Sequence, residues 1–318
     1  MNPADPITLE DAILCVLTGT PVEQAATKAR TSPARLADAA ERYRAAGRAT
    51  LDARPDSWHQ VNMEFADYPT AERAFRAYVL PALRTGPVGA WWFVRKYPCW
   101  RLRVRPGPDA QREDAVEHLT EALASTRACG VAERWWPSRY EPETIAFGGP
   151  HGMVLAHTLF HTDSTGVLAY YQHATDGTSG LLGAKETSLL VTSLFLRAAG
   201  LEWGEQGDVW GQIEVRRPLP DDVSPDQVSG MVDPLRRLLT VDAGPLLTHG
   251  PLTPLRTWIT GMERSGCTLA DAARAGNFQL GLRGILARHI LFHWNRMGLT
   301  TRQQAIWARA AREATLGR

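Results

Sequence analysis

The sequence has few cysteines and almost no net charge. Its 318 residues include four cysteines, and none of them forms a CxxC pair. This spacing indicates neither a disulfide framework nor a zinc knuckle. The 35 basic and 34 acidic residues give a net charge of +1. Because no overall electrostatic attraction to nucleic acid or to an anionic membrane results, any anion site must be local.

Several segments that define other protein classes are also missing. The amino terminus, MNPADPITLED, lacks a basic stretch followed by an apolar core, and no apolar run reaches about 18 residues. Neither a GxGxxG motif nor a P-loop occurs, so we expect no cofactor and no metal. We therefore expect a cytoplasmic protein without membrane contact. The hydrophobic content of 44% is typical of a globular enzyme or binding protein.

The segment Trp91–Pro106 is the most unusual part of the sequence. Trp100, Leu102 and Val104 alternate with three arginines, Arg101, Arg103 and Arg105. This period of two predicts a half-buried β-strand with a row of guanidinium groups on one face. Arginine suits the recognition of carboxylate, phosphate or amide oxygens because its donors form a fixed fork. The simpler interpretation is a solvated or internally paired strand face.

The first 54 residues form a separate compositional unit. Apolar spacing predicts three short helices within residues 8–52, with breaks at Gly19-Thr20-Pro21 and Ser32-Pro33. The pattern is similar to a helix-turn-helix. Acidic and basic residues are balanced here, which argues against DNA binding and favours a docking domain or a packed cap. The stretch Arg54-Pro55-Asp56-Ser57 is the predicted joint to the remainder of the chain.

Alternation predicts a further strand at Trp58–Phe65, and spacing predicts helices at Thr70–Arg84, Glu113–Cys129 and residues 185–200. The Pro-rich stretch 218–254 is expected to be an excursion or a flexible loop. His157, His161 and Asp163 could bind a metal on a helix, but the apolar surroundings and the lack of an HExxH motif favour core or cap histidines.

A late segment, GLRGILARHILFHWNRMG, predicts a helix with a polar stripe. His289, His293 and Arg296 fall at positions i, i+4 and i+7, opposite a side that includes Trp294. Such a stripe faces solvent or lines a cavity, and the pattern alone leaves both open. Imidazole moves protons near neutral pH, so this helix is a candidate source of a catalytic group.

Six strings occur in the order expected for one family: WHQVN, WWFVRKYPCWRLR, YEPETIAFGG, LFHTDS, EQGDVW and FHWNRMGL. Together they resemble the thiopeptide-type bacteriocin biosynthesis family, stand-alone relatives of the C-terminal elimination domain of lantibiotic dehydratases. The resemblance covers the chain from Trp58 to its end. It implies an α+β fold with an elimination-domain-like catalytic domain at residues 55–318 and a small helical appendage at residues 1–54.

The resemblance implies work on a ribosomally made precursor peptide, by one of two reactions. One eliminates glutamate from a glutamylated serine or threonine. The other is pyridine synthesis, a formal [4+2] cycloaddition of two dehydroalanines with loss of water and of the leader peptide. Arg101 and Arg103 match the arginine pair expected of eliminating domains. However, Ala146 stands where an arginine is expected before the glycine pair, and Leu291 stands where a histidine is expected.

We therefore expect a pyridine-forming macrocyclase, with a split-dehydratase eliminase and a non-catalytic leader-peptide-binding protein as alternatives. Cycloaddition requires two dehydroalanines in near-attack geometry, donors to an amide oxygen, and a proton shuttle. We assign the donors to Arg101 and Arg103 and the shuttle to His293 or His161. Contacts to the peptide are assigned to Trp100, Trp136, Trp294, Arg105 and Arg296. The expected partners are the precursor peptide and other enzymes of its pathway.

Overall fold

The computed structural model describes residues 7–52 and 58–317. The predicted joint and the predicted domain boundary at residue 54 lie outside the described residues. Three helices precede them, as predicted: α1 (Leu9–Leu17), α2 (Val22–Lys28) and α3 (Pro33–Asp52). Thr8 caps α1, because its side chain accepts a hydrogen bond from the backbone N–H of Asp11. The three helices bury a small apolar cluster of their own around Leu36.

A four-stranded antiparallel sheet follows. Its strands are β1 (His59–Phe65), β2 (Val88–Lys96), β3 (Cys99–Pro106) and β4 (Ala132–Ser138), in the order β2-β3-β1-β4. In the register of β1 with β3, Asn62 is opposite Arg101 and Gln60 is opposite Arg103. The predicted strands at Trp58–Phe65 and within Trp91–Pro106 are confirmed, and so is the alternation of β3.

One face of the sheet packs on helices that connect the strands. These helices are α4 (Ala71–Ala74), a π-helical turn (Phe75–Val79), α5 (Leu80–Arg84) and α6 (Arg112–Ala128). Pro81 near the start of α5 lacks a backbone N–H, which accounts for the irregular turn before it. Trp100 of β3 points to this face, where its ring stacks on Phe93 at 4.8 Å and on Phe75 at 5.1 Å between centroids.

The rest of the chain is helical. After a 3₁₀ turn at Ile145–Phe147, its longer helices are α7 (Pro150–Thr175), α8 (Ala184–Ala198), α9 (Trp203–Arg216), α13 (Arg256–Arg274), α14 (Leu282–Met297) and α15 (Thr301–Leu316). Helix α7 runs along the free edge of β2, and the backbone N–H of Phe93 donates to Ser164 Oγ at 3.2 Å. This packing protects an edge strand that would otherwise be open.

The prediction of an excursion or flexible loop at residues 218–254 is wrong. This stretch contains three short helices, α10 (Pro225–Ser229), α11 (Val232–Leu239) and α12 (Gly244–His249), followed by a 3₁₀ turn at Thr253–Leu255. Leu235 and Leu239 are buried in the main core. The overall arrangement, a small antiparallel sheet embedded in helices, confirms the predicted α+β class. In the described part of the chain, no helix has the length and apolar character that a membrane crossing requires.

Candidate active site

The three arginines of β3 lie on one face of the sheet, but in different environments. Arg103 is buried, with 6% of its surface exposed, whereas Arg101 is half-buried and Arg105 is exposed. Trp136 of β4 shares this face, because Asn62 is paired with Arg101 on one side and with Trp136 on the other. Four of the predicted site residues therefore share one surface of the sheet, here called the arginine face: Arg101, Arg103, Arg105 and Trp136.

Arg103 is held by neutral groups. Its Nε donates to Gln60 Oε1 at 2.6 Å, and its Nη1 donates to the carbonyl oxygen of Arg101 at 3.3 Å. Gln60 is fixed in turn, because its Nε2 donates to Ser138 Oγ at 2.7 Å. The guanidinium lies 4.2 Å from the ring centroid of Trp92, a cation–π distance. Among the residues that the structure describes, Arg103 forms no ion pair with a carboxylate.

The electrostatic environment of Arg103 disfavours an isolated positive charge. Burial lowers the pKa of Arg103 to about 9. Tyr140 opposes this shift, the positive charges of Arg101 and Arg296 add to it, and Glu143 opposes it. A buried cation that lacks an anionic partner gains most from a ligand that supplies oxygen acceptors. Arg103 is therefore suited to bind a carbonyl or carboxylate oxygen.

Tyr140 and His157 form a hydrogen-bonded pair beside Arg103. A hydrogen bond of 2.8 Å joins Tyr140 Oη and His157 Nε2, and the Arg103 guanidinium lies 5.5 Å from the Tyr140 ring centroid. Burial lowers the pKa of His157 to about 3, with contributions from Arg105 and Arg103. Burial also raises the pKa of Tyr140. Both side chains are consequently uncharged at neutral pH.

The stripe on α14 does not face solvent, which corrects the first of the two interpretations given above, because its three side chains are buried. His293 is completely buried, and its Nδ1 lies 2.9 Å from Asp163 Oδ1 while its Nε2 lies 2.8 Å from Ser188 Oγ. Arg296 is also completely buried and donates from Nη1 to Asp163 Oδ2 at 2.9 Å. Burial alone would raise the pKa of Asp163, but His293 and Arg296 lower it to about 2.

The arrangement of Ser188, His293 and Asp163 has the connectivity of a serine-hydrolase triad. The Ser188 side chain, however, has no exposed surface, and neither has that of Asp163. A substrate carbonyl therefore has no access to the hydroxyl. The set is a buried polar network that joins α7, α8 and α14, and His293 is not placed to move protons at the arginine face.

Three further predicted site residues lie elsewhere. His161 is occupied by the backbone of β2, because its Nδ1 lies 2.9 Å from the carbonyl oxygen of Trp91. Trp100 points to the opposite face of the sheet. Trp294 is completely buried and stacks on Trp210 with a centroid distance of 6.0 Å. None of the three side chains is placed to contact a ligand bound at Arg103.

A large groove lies in the helical part of the chain. It encloses about 1960 Å³ between the loop 142–146, α9, the segment 280–284 and α15. Ile145, with 73% of its surface exposed, and Val215, with 82%, present apolar side chains there. Glu143 lines the groove, pairs with Arg288 at 3.5 Å, and is close enough to Arg103 to influence its pKa. Neither Arg101 nor Arg103 is among the residues that line this groove.

Sequence reasoning missed Gln60, Tyr140 and His157 as site residues. The alternation of WHQVN with β3 placed Gln60 on a strand face, and the polar residue inside an apolar segment was the available signal. Tyr140 and His157 are 17 positions apart, and their contact depends on how α7 packs against the sheet. The sequence contains no spacing signal for that contact.

Comparison with known families decides the classification. The lantibiotic biosynthesis dehydratase C-terminal family matches residues 58–315. The chain belongs to this family. The match includes the whole sheet and helices α4 to α14, and therefore the arginine face. A search of curated protein sequences finds no significant match.

Solved structures share the fold of this family member at low sequence identity. The tRNA-dependent lantibiotic dehydratase MibB from Microbispora sp. 107891 is 17% identical over 81% of this chain and 28% of that chain, with a TM-score of 0.56. The present chain thus spans little more than a quarter of that enzyme's length. The pyridine synthase TbtD from thiomuracin biosynthesis is 13% identical over 81% of this chain and 97% of that chain, with a TM-score of 0.61. TsrL is 15% identical over 80% of this chain and 94% of that chain, with a TM-score of 0.54.

Proposed function

We propose that this chain is a pyridine-forming macrocyclase of a thiopeptide-type pathway. Its substrate is then a dehydrated, azole-bearing precursor peptide, and two dehydroalanines of that peptide join in a formal [4+2] cycloaddition. Water and the leader peptide leave as the ring becomes aromatic. The observation that carries the proposal is Arg103, a buried guanidinium held by Gln60 and Trp92 without a carboxylate partner in the described chain.

Arg103 supplies the hydrogen-bond donor to an amide oxygen that the cycloaddition requires. The amide that becomes part of the diene must take its iminol form, and charge develops on its oxygen as it does so. A preorganised donor in a water-poor site stabilises that charge more than solvent does. Arg101, two residues away on the same face and half-buried, is positioned to donate to a neighbouring peptide carbonyl. Trp136 on this face provides a flat apolar surface for an azole ring.

The surroundings favour cyclisation over glutamate elimination. The two positions at which the family resemblance leads us to expect an arginine and a histidine in eliminating domains carry Ala146 and Leu291. Leu291 is buried in the apolar core, and Ala146 lies in the 3₁₀ turn that borders the groove. Neither side chain can donate a hydrogen bond to a carboxylate leaving group or form an ion pair with it. The pyridine synthase TbtD, which matches over nearly its full length, is consistent with this choice.

The decisive experiment presents both substrate classes to the purified chain. A dehydrated, azole-bearing precursor and a glutamylated precursor are incubated separately and followed by mass spectrometry. A macrocyclase converts the first into a product lacking water and leader, and releases free leader. An eliminase instead lowers the mass of the glutamylated peptide by removing glutamate from its serine or threonine side chains. A binding protein changes the mass of neither peptide. Conversion of the glutamylated peptide alone would replace this proposal with the elimination function, for which Arg101 and Arg103 would bind the glutamate carboxylate.

A further inference from the structure

The pair formed by Tyr140 and His157 has no part in the function proposed above, although it adjoins Arg103. Tyr140 follows β4, and His157 lies on α7, so the pair bridges the sheet and the helix along its edge. The bond between Tyr140 Oη and His157 Nε2 is 2.8 Å long. Tyr140 has 8% of its surface exposed, and His157 is only partly buried. Neighbouring Arg105 is exposed.

Aromatic rings fix both partners. The His157 ring packs at 4.7 Å from Trp58 and at 6.2 Å from Trp92, measured between centroids. The Tyr140 ring meets Trp92 edge to face at 5.7 Å and Trp58 at 6.4 Å. Rigid walls of this kind hold the hydroxyl and the imidazole in one geometry and keep bulk water from their far side. The same Trp92 ring supports the Arg103 guanidinium.

The tautomer of His157 sets which partner donates. Burial, with Arg105 and Arg103 acting in the same direction, disfavours a positive charge at His157, so the imidazole stays neutral. A neutral imidazole has one N–H donor and one acceptor nitrogen. When the N–H is on Nε2, His157 donates to Tyr140 Oη and the phenol O–H is free to point at a ligand. Burial raises the pKa of Tyr140, and Arg103, 5.5 Å from its ring centroid, opposes this shift by stabilising the phenolate.

We propose that Tyr140 transfers the proton in the dehydration step of pyridine formation and that His157 is its positioning residue. This inference rests on the proposed function. Ring closure leaves the ring nitrogen as an imine without a proton, so a proton first moves from the ring methylene beside the imine carbon to that nitrogen and gives an enamine. Tyr140 Oη then gives its proton to the hydroxyl on the former amide carbon, and the C–O bond breaks with its electron pair to release water. The lone pair of the ring nitrogen forms a C=N bond, and the nitrogen proton returns to the phenolate. No oxidant, reductant or other co-reactant is consumed.

The first test removes the hydroxyl alone. Tyr140→Phe keeps the ring in its aromatic packing, so the protein should fold and bind dehydrated peptide as the wild type does. Turnover should fall by about 10²-fold or more, the usual contribution of a general acid. Mass spectrometry of single turnovers should show a species isomeric with the substrate, with water and leader still attached. Tyr170→Phe is the matched control, because the Tyr170 hydroxyl donates to the Leu182 carbonyl at 2.9 Å, within helical packing remote from the arginines. It should turn over normally.

The second test separates positioning from packing. His157→Gln retains a side-chain N–H donor and should keep a measurable part of the turnover, whereas His157→Phe retains the ring volume and should lose as much as Tyr140→Phe. Both variants should leave KM within about threefold of the wild type, since peptide binding is assigned to the arginine face. Equal turnover of Tyr140→Phe and the wild type overturns the role of Tyr140. Equal turnover of the Gln and Phe variants at position 157 overturns that of His157.

A readout without substrate makes the two proposals distinguishable. Nitrogen NMR of the full chain with labelled histidine should show His157 protonated on Nε2 and neutral at pH 6. Protonation on Nδ1 instead overturns the proposed direction of the hydrogen bond even if the chain is a cyclase. A wild-type chain with the expected tautomer that yields no pyridine from dehydrated peptide overturns the proposed function, and with it the role in water loss.

Discussion

The Nε of Arg103 donates a hydrogen bond of 2.6 Å to Oε1 of Gln60, on the adjacent strand. The partner of this buried guanidinium is thus an amide, which fixes its orientation but does not neutralise its charge. A carboxylate at the same place would do both. The residual charge is what allows Arg103 to act on a ligand oxygen.

Gln60→Glu should therefore inactivate the protein while preserving its fold. The new carboxylate has nearly the same shape as the amide and would raise the pKa of Arg103 by pairing with it, so we expect turnover to fall by about tenfold or more. The measurement is kcat on dehydrated precursor peptide. Gln24→Glu on the exposed surface of α2 is the matched control. Wild-type turnover in Gln60→Glu would show that the charge of Arg103 is not used.

Asp163→Asn should destabilise the fold strongly. The carboxylate neutralises completely buried Arg296 and also accepts from Trp258 Nε1 at 3.1 Å. Loss of its charge leaves a buried cation unpaired, and we expect the free energy of unfolding in urea to fall by about 3 to 5 kcal/mol. Asp222→Asn breaks an exposed pair with Arg302 and should leave the free energy of unfolding almost unchanged. A similar loss in both variants would contradict the structural role of Asp163.

Ser188→Ala should leave turnover within about twofold of the wild type once folded protein is compared. Ser188 has no exposed surface, and its hydroxyl contacts His293 inside the core. The variant tests directly whether the triad-like connectivity is structural. A drop of about 10³-fold in kcat with an unchanged melting temperature would be the behaviour of a nucleophile and would contradict this assignment.

Stability should fall as the pH is lowered from about 6.5 towards 3, in part because of His289. Burial, assisted by Arg296, lowers the pKa of His289 to about 3. The unfolded chain therefore takes up this proton first, and acid favours unfolding by up to about 1.4 kcal/mol per pH unit in that window. His289→Leu should flatten the dependence measured by urea unfolding, while exposed His249→Leu should not. An unchanged slope in His289→Leu would contradict the assignment.

The sequence predicted the sheet better than the late helix, for a physical reason. Alternation along β3 reports which side chains share a face, and Arg101, Arg103 and Arg105 do so. The stripe on α14 leaves two interpretations open, facing solvent and lining a cavity, because a polar stripe on an otherwise apolar helix fits both. Its partner, Asp163, comes from α7, and the spacing within one helix contains no information about that contact.

Two other differences have separate causes. The prolines of the stretch 218–254 predict an excursion or a flexible loop. However, Pro225 begins α10 and Pro245 lies in the first turn of α12, positions at which the missing N–H costs nothing. That signal was available in the sequence. The sequence contains no such signal for the pairing of Tyr140 with His157, because that pairing depends on the packing of α7 against β2.

The central claim is that Arg103 stabilises the reacting peptide, and single-turnover mass spectrometry of Arg103 variants on dehydrated, azole-bearing precursor tests it most directly. We expect Arg103→Ala to bind the peptide and form no macrocycle. Arg103→Lys should also lose most turnover, because an ammonium reproduces neither the fork of donors nor the stacking on Trp92. Arg127→Ala on the exposed side of α6 should match the wild type. Macrocycle and free leader formed by Arg103→Ala at the wild-type rate would contradict the account.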